Sequence, residues 1–94
     1  MIKRIVKLTF KPELLDDFMV VFNDSAPKIR SFSGCRHMEL LQSNAQNNVL
    51  FTLSEWDDEA ALENYRNSEL FKSTWAKTKV LFDEKAEAWT VANI

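Results

Sequence analysis

Residues 48 to 56, NVLFTLSEW, are apolar on both sides of an extended chain: Leu50 and Trp56 lie on one side, and Val49, Phe51 and Leu53 on the other. A strand of that kind requires cover on both faces. With 94 residues in all, the chain is a single domain spanning 1–94, large enough for one core and too small for two. One covering layer can come from its own helices. The other must come from somewhere else.

The remaining pattern says which elements are available. Residues 2 to 10 alternate, with Ile2, Arg4, Val6, Leu8 and Phe10 on one side and Lys3, Ile5, Lys7 and Thr9 on the other, the period of a strand. Pro12 suits a first helical turn, and Leu14, Leu15, Phe18, Met19 and Phe22 follow at helical spacing. Pro27 predicts an end to that helix near Asp24, with a separate short turn over 27–32. Gly34, the only glycine, precedes a second strand over 35–42, and the polar run SNAQNN joins it to the third as a hairpin. Asp57 or Asp58 is placed to cap a helix carrying Leu62 and Tyr65. Ser68 is placed to cap a further helical stripe of Leu70, Phe71, Thr74, Trp75, Thr78, Leu81 and Phe82. Residues 85–91 form the last strand.

The order β-α-β-β-α-β is that of an α+β, ferredoxin-like domain with a four-stranded antiparallel sheet. Its helices cover one face only, so a second copy of the sheet is the simplest cover for the other, giving a homodimer. Lys3 and Lys7 fit that scheme if they lie at the rim of the face.

Composition excludes several classes. A net charge of −2 offers no basic face for a nucleic-acid backbone. No stretch is long and apolar enough to cross a bilayer, and MIKRIVKLTF lacks the apolar run of a signal peptide, so the chain reads as cytoplasmic. One cysteine allows no internal disulfide. A lone glycine leaves no phosphate-cradling loop, so no nucleotide cofactor is expected.

Gly34-Cys35 opening strand two, Glu39-Leu40 within it, Trp56 closing strand three, Glu59-Ala60-Ala61-Leu62, Ser68-x-x-Phe71 and a final strand with Trp89 together resemble the antibiotic-biosynthesis monooxygenase family. The resemblance covers essentially the whole chain and implies a dimeric α+β barrel. Family activities include cofactor-independent oxidation of aromatic polyketides and quinols, and haem degradation. Trp56 matches the family's pocket tryptophan. Val6 and Trp75 stand where the haem degraders carry an asparagine and a histidine, which argues against that mechanism here. Thr52 stands where the aromatic-oxidising members carry an asparagine, and Tyr65 where many members carry a histidine.

Against this background the candidate residues have paired readings. Trp56 and Trp75 are either walls of an aromatic slot or core residues bridging helix and sheet. Thr52 and Ser54 share the strand face of Trp56. Tyr65 either donates a hydrogen bond into the slot or packs on Leu62. Arg4 either holds a substrate oxygen at the pocket edge or reaches water. His37 is the one side chain titrating near neutrality, hence the candidate general base, with Glu39 on the same strand side to orient it; both alternatively belong to the other face. Cys35 shares that side as well on plain alternation, ~7 Å from His37, and is read as a small apolar residue, with no metal site. The leading expectation is a cofactor-independent monooxygenase for a small aromatic or quinol. The alternative is a non-catalytic dimeric barrel holding a small hydrophobic ligand, with haem binding third.

Overall fold

The computed structural model describes residues 1–94. Four strands, β1 (Ile2–Phe10), β2 (Cys35–Gln42), β3 (Val49–Trp56) and β4 (Phe82–Val91), form one antiparallel sheet in the order β2-β3-β1-β4. Helices α1 (Leu15–Arg30), α2 (Glu59–Arg66) and α3 (Glu69–Lys79) are the covering elements. This is the β-α-β-β-α-β ferredoxin-like arrangement the sequence pattern predicts. No helix is long and apolar enough to cross a membrane.

Local chemistry sets the boundaries. Pro12 opens a 3-10 turn that leads into α1. Asp58 caps α2, its Oδ1 accepting from the Ala61 N–H at 2.8 Å, and Ser68 caps α3 by accepting from the Phe71 N–H at 3.1 Å. Gly34 has φ +88°, and a Cβ there would sit 2.5 Å from the Ala61 Cβ. Both the left-handed backbone and the close approach of α2 therefore demand glycine.

Three expectations are corrected. First, α1 does not stop before Pro27 but runs through it to Arg30. Pro27 and Asn23, whose carbonyl loses its N–H partner, are both on the exposed side, open to solvent. Ala26 and Ile29 on the other side are buried against Met38 and hold the last turn down. Second, Phe82 belongs to β4, not to the helical stripe, which ends at Lys79. Third, β1 is an interior strand, so Lys3 and Lys7 do not lie at a sheet edge; they stand in the rows on either side of the row of Leu53, Ile5 and Trp89. Each reaches a glutamate on a neighbouring strand, Glu55 and Glu87 respectively, at 3.8 Å.

The core lies between helices and sheet. Leu8, Phe10, Phe18 and Leu50 form its larger part, with Phe82, Leu81 and Trp75 packed against them. The opposite sheet face carries no helix. Strand register places three rows across it: Leu41, Phe51, Lys7, Glu87; Glu39, Leu53, Ile5, Trp89; and His37, Glu55, Lys3, Val91. Its middle row is mostly apolar, and Leu41, Trp89 and Val91 are 47%, 45% and 42% exposed. Only 14 of the 94 residues are buried, which is consistent with a sheet covered on one side.

Candidate functional site

Between the helices and the covered face lies a cavity of about 340 Å³, within the size range of small-ligand pockets. The sheet supplies its floor through Arg4, Val6 and Leu8 of β1, Thr52, Ser54 and Trp56 of β3, and Ala86 and Ala88 of β4. Period-two alternation explains the choice, since each set occupies one side of its strand. The helices supply the roof, chiefly Phe18, Phe22 and Ile29 from α1, Tyr65 from α2, and Phe71 and Trp75 from α3. Arg4, Thr52, Trp56, Tyr65 and Trp75, all singled out from the sequence, therefore surround one space.

The aromatic side chains are in mutual contact. Trp56 stacks on Tyr65 with ring centroids 4.9 Å apart, Tyr65 meets Phe71 edge-on at 5.3 Å, and Phe71 stacks on Trp75 at 5.8 Å. The two indoles are thus linked by intervening rings and do not touch each other. Trp56 is 1% exposed, and its Nε1–H donates to Ser54 Oγ at 2.9 Å. It therefore forms a fixed wall, with no N–H left for a ligand.

Few polar groups remain. Thr78 Oγ1 donates to the Thr74 carbonyl at 2.8 Å, and Ser25 Oγ to the Phe22 carbonyl at 3.4 Å, so both hydroxyls are occupied by their own helix. Burial pushes the Tyr65 phenol up to about 12, and Cys35 nearby adds to the shift. At neutral pH it can donate a hydrogen bond but cannot serve as a base. Arg4 donates from Nη1 to Thr90 Oγ1 at 2.8 Å. Its pKa is lowered by burial and by the neighbouring Arg66 charge, with Glu63 opposing. Arg66, at the end of α2, also lines the cavity and pairs with Glu63 at 3.4 Å. Sequence reasoning missed Arg66. The i,i+4 spacing that places Arg66 beside Leu62 was the signal available.

His37 does not join this site. A β-bulge in β2 sets Cys35 opposite Trp56 and His37 opposite Glu55, leaving Arg36 as the extra residue. Cys35 consequently packs with Ala26, Ile29 and Met38 on the helix side, while His37 lies on the bare face. The expectation that the two share a side is corrected by that single inserted residue. His37 pairs there with Glu39, Nε2 to Oε2, at 3.2 Å. No His, Asp or Glu lines the cavity, and nowhere do three or more His, Cys, Asp or Glu side chains converge as metal ligands would.

The family model for Antibiotic biosynthesis monooxygenase matches residues 1–77. The chain belongs to that family. Among solved structures, a conserved protein from Methanosarcina mazei is 24% identical with a TM-score of 0.94, over 99% of this chain and 92% of that one. A structure described as an antibiotic biosynthesis monooxygenase is 20% identical with a TM-score of 0.94, over 100% and 99%. Rv0793 from Mycobacterium tuberculosis is 17% identical with a TM-score of 0.90, over 99% and 94%. At these identities the likenesses establish the fold. No curated protein matches the chain.

Proposed function

We propose that this family member is a monooxygenase whose cavity takes a flat, largely apolar hydroxyarene or quinol. The observation that carries the reading is the aromatic enclosure itself: a space of about 340 Å³ walled by Trp56, Tyr65 and Trp75 with few free polar groups. In the reaction, molecular oxygen accepts four electrons from the substrate. One oxygen atom becomes a new ring carbonyl, and the other leaves as water with the ring hydrogen and a proton from solvent, which replaces the one the hydroxyl gave up to solvent on ionising. No flavin or metal is needed for that balance if the substrate is ionised and electron-rich. The protein's part is to orient the ring, to exclude water, and to favour the ionised oxygen through Arg4.

The bare sheet face supports a second part of the proposal: a homodimer formed face to face. Ile5, Leu53 and Trp89 supply its apolar centre, and the lysines beside them already have carboxylate neighbours, so cover by a second sheet isolates no unpaired ammonium.

A non-catalytic ligand-binding barrel is the second reading, favoured by one observation, that no imidazole or carboxylate lines the cavity. Oxygen consumption over a panel of naphthols, hydroquinones and flavonoids separates the two. Enzymatic turnover will put one atom of labelled oxygen into the product, as read by mass spectrometry. Ligands that bind without any oxygen uptake would leave the binding reading standing and remove the enzymatic one.

A further inference from the structure

The charge of the cavity is one-sided. Two arginines line it, and no aspartate or glutamate does, in a chain with 14 acidic and 12 basic residues. Arg4 comes from the middle of the sheet and forms no ion pair; its one side-chain hydrogen bond is to the neutral Thr90 hydroxyl. A guanidinium has five N–H donors in a planar fork, so most of its capacity is unspent. Arg66 approaches from the helical layer, tied only to Glu63 of its own helix at 3.4 Å. Burial and then the Arg66 charge lower the Arg4 pKa, with Glu63 opposing them, so an anion placed between the two guanidiniums would be favoured.

We infer that the cavity's ligand is an anion, an aromatic body lying against Trp56, Tyr65 and Trp75 with a carboxylate or ionised ring hydroxyl held by Arg4 and Arg66. This rests on the cavity being a ligand site and narrows it to one chemical class. The apolar wall supplies most of the buried area, while the arginines select for charge. Discrimination arises because a neutral head group would displace the water around both guanidiniums and return no charge-assisted bond.

Calorimetric titration of the intact protein with 2-naphthoate and with its neutral counterpart 2-naphthamide tests this without oxygen, and so independently of turnover. The acid should bind at least tenfold more tightly than the amide. Arg4→Gln should lower naphthoate affinity about tenfold and leave the amide within threefold. Thr90→Val, which removes the hydrogen-bond partner and no charge, should preserve the acid-to-amide ratio. If Arg4→Gln does not fold, Arg66→Gln at the helix end carries the same expectation with a loss of about threefold. Adding 2-naphthol identifies the anionic group: absorption of the bound molecule as naphtholate below its own pKa points to an ionised hydroxyl, and a gain confined to naphthoate points to a carboxylate; either supports the inference. Equal binding of acid and amide, or acid binding indifferent to both arginine substitutions, would overturn it and leave the cavity a neutral ligand site. Binding of none of the three would remove the ligand site along with the inference.

Discussion

Replacing Trp56 by alanine tests the packing and the site together. The side chain is 1% exposed, stacked on Tyr65 at 4.9 Å and edge-on to Phe32 at 6.4 Å. An aromatic of this size buries roughly 200 Å², or about 5 kcal/mol at 25 cal/mol per Å². Measured truncations of buried tryptophan fall at about 3–5 kcal/mol. The ring contacts and the lost N–H to the buried Ser54 hydroxyl favour the upper part of that range, so ~4 kcal/mol is expected. Against a total of roughly 5–14 kcal/mol for a chain of this length, such a loss should lower the Tm by roughly 16–30 °C. Trp56→Phe keeps a ring against Tyr65 and gives up the N–H bond, so it should cost only about 1–2 kcal/mol. Urea unfolding followed by circular dichroism, at one fixed protomer concentration, compares the three proteins. A loss below about 1.5 kcal/mol in Trp56→Ala would refute the packing argument. So would a phenylalanine variant as unstable as the alanine one.

Further expectations concern other parts of the fold. Tyr65 is the only tyrosine, so phenolate absorbance reports it alone: it should titrate near 12 in the folded protein. Its raised value favours the neutral form, so the associated stability is complete below pH 10 and declines as pH rises through 12; titration at 10 would refute its burial. Gly34→Ala should destabilise by about 3 kcal/mol, ~1–2 from the left-handed backbone and the rest from overlap with Ala61, and adding Ala61→Gly should recover the second part only. At the start of β2, Arg36 hydrogen-bonds Asp57 and holds its carboxyl below the usual range. That pair stabilises the fold above the ordinary carboxylate pKa and loses its effect as pH falls through the depressed one; in Arg36→Ala, NMR titration should find Asp57 back near its usual value. Finally, light scattering should give about twice the 10.9 kDa protomer mass, and Trp89→Glu in the bare face should shift it toward the monomer.

Much of this architecture was legible because its signals are local. Period-two and helical spacing, Asp58 and Ser68 as caps, and Gly34 as a forced glycine each act within a few residues. The pairing of Trp56, Tyr65 and Trp75 around one space followed from the order of elements, since a strand's end and its covering helices have few alternative meeting places. What escaped the sequence depended on non-local facts. Pro27 stays within α1 because Ala26 and Ile29 are anchored by Met38 from another strand. The side on which His37 lies turns on one bulged residue, Arg36, and simple alternation carries no mark of it. Lys3 and Lys7 stand on an interior strand because β1 is flanked by β3 and β4, a matter of topology and not of pattern.

The proline in α1 bears on how the roof of the cavity moves. It removes one rung between the final turn of the helix and the rest, and Ile29 in that turn is part of the cavity roof. The missing rung leaves this turn held mainly by the packing of Ala26 and Ile29 on Met38 and by the Arg30 hydrogen bond to the Met38 carbonyl, so it is the turn expected to open first. Motion of the roof should concentrate there, with amide hydrogens after Pro27 exchanging sooner than those of Phe18 to Phe22. Pro27→Ala would supply the missing N–H to Asn23 and slow that opening. Its signature would be a lower rate of ligand association and release at unchanged affinity: a hinge visible in rates and silent at equilibrium.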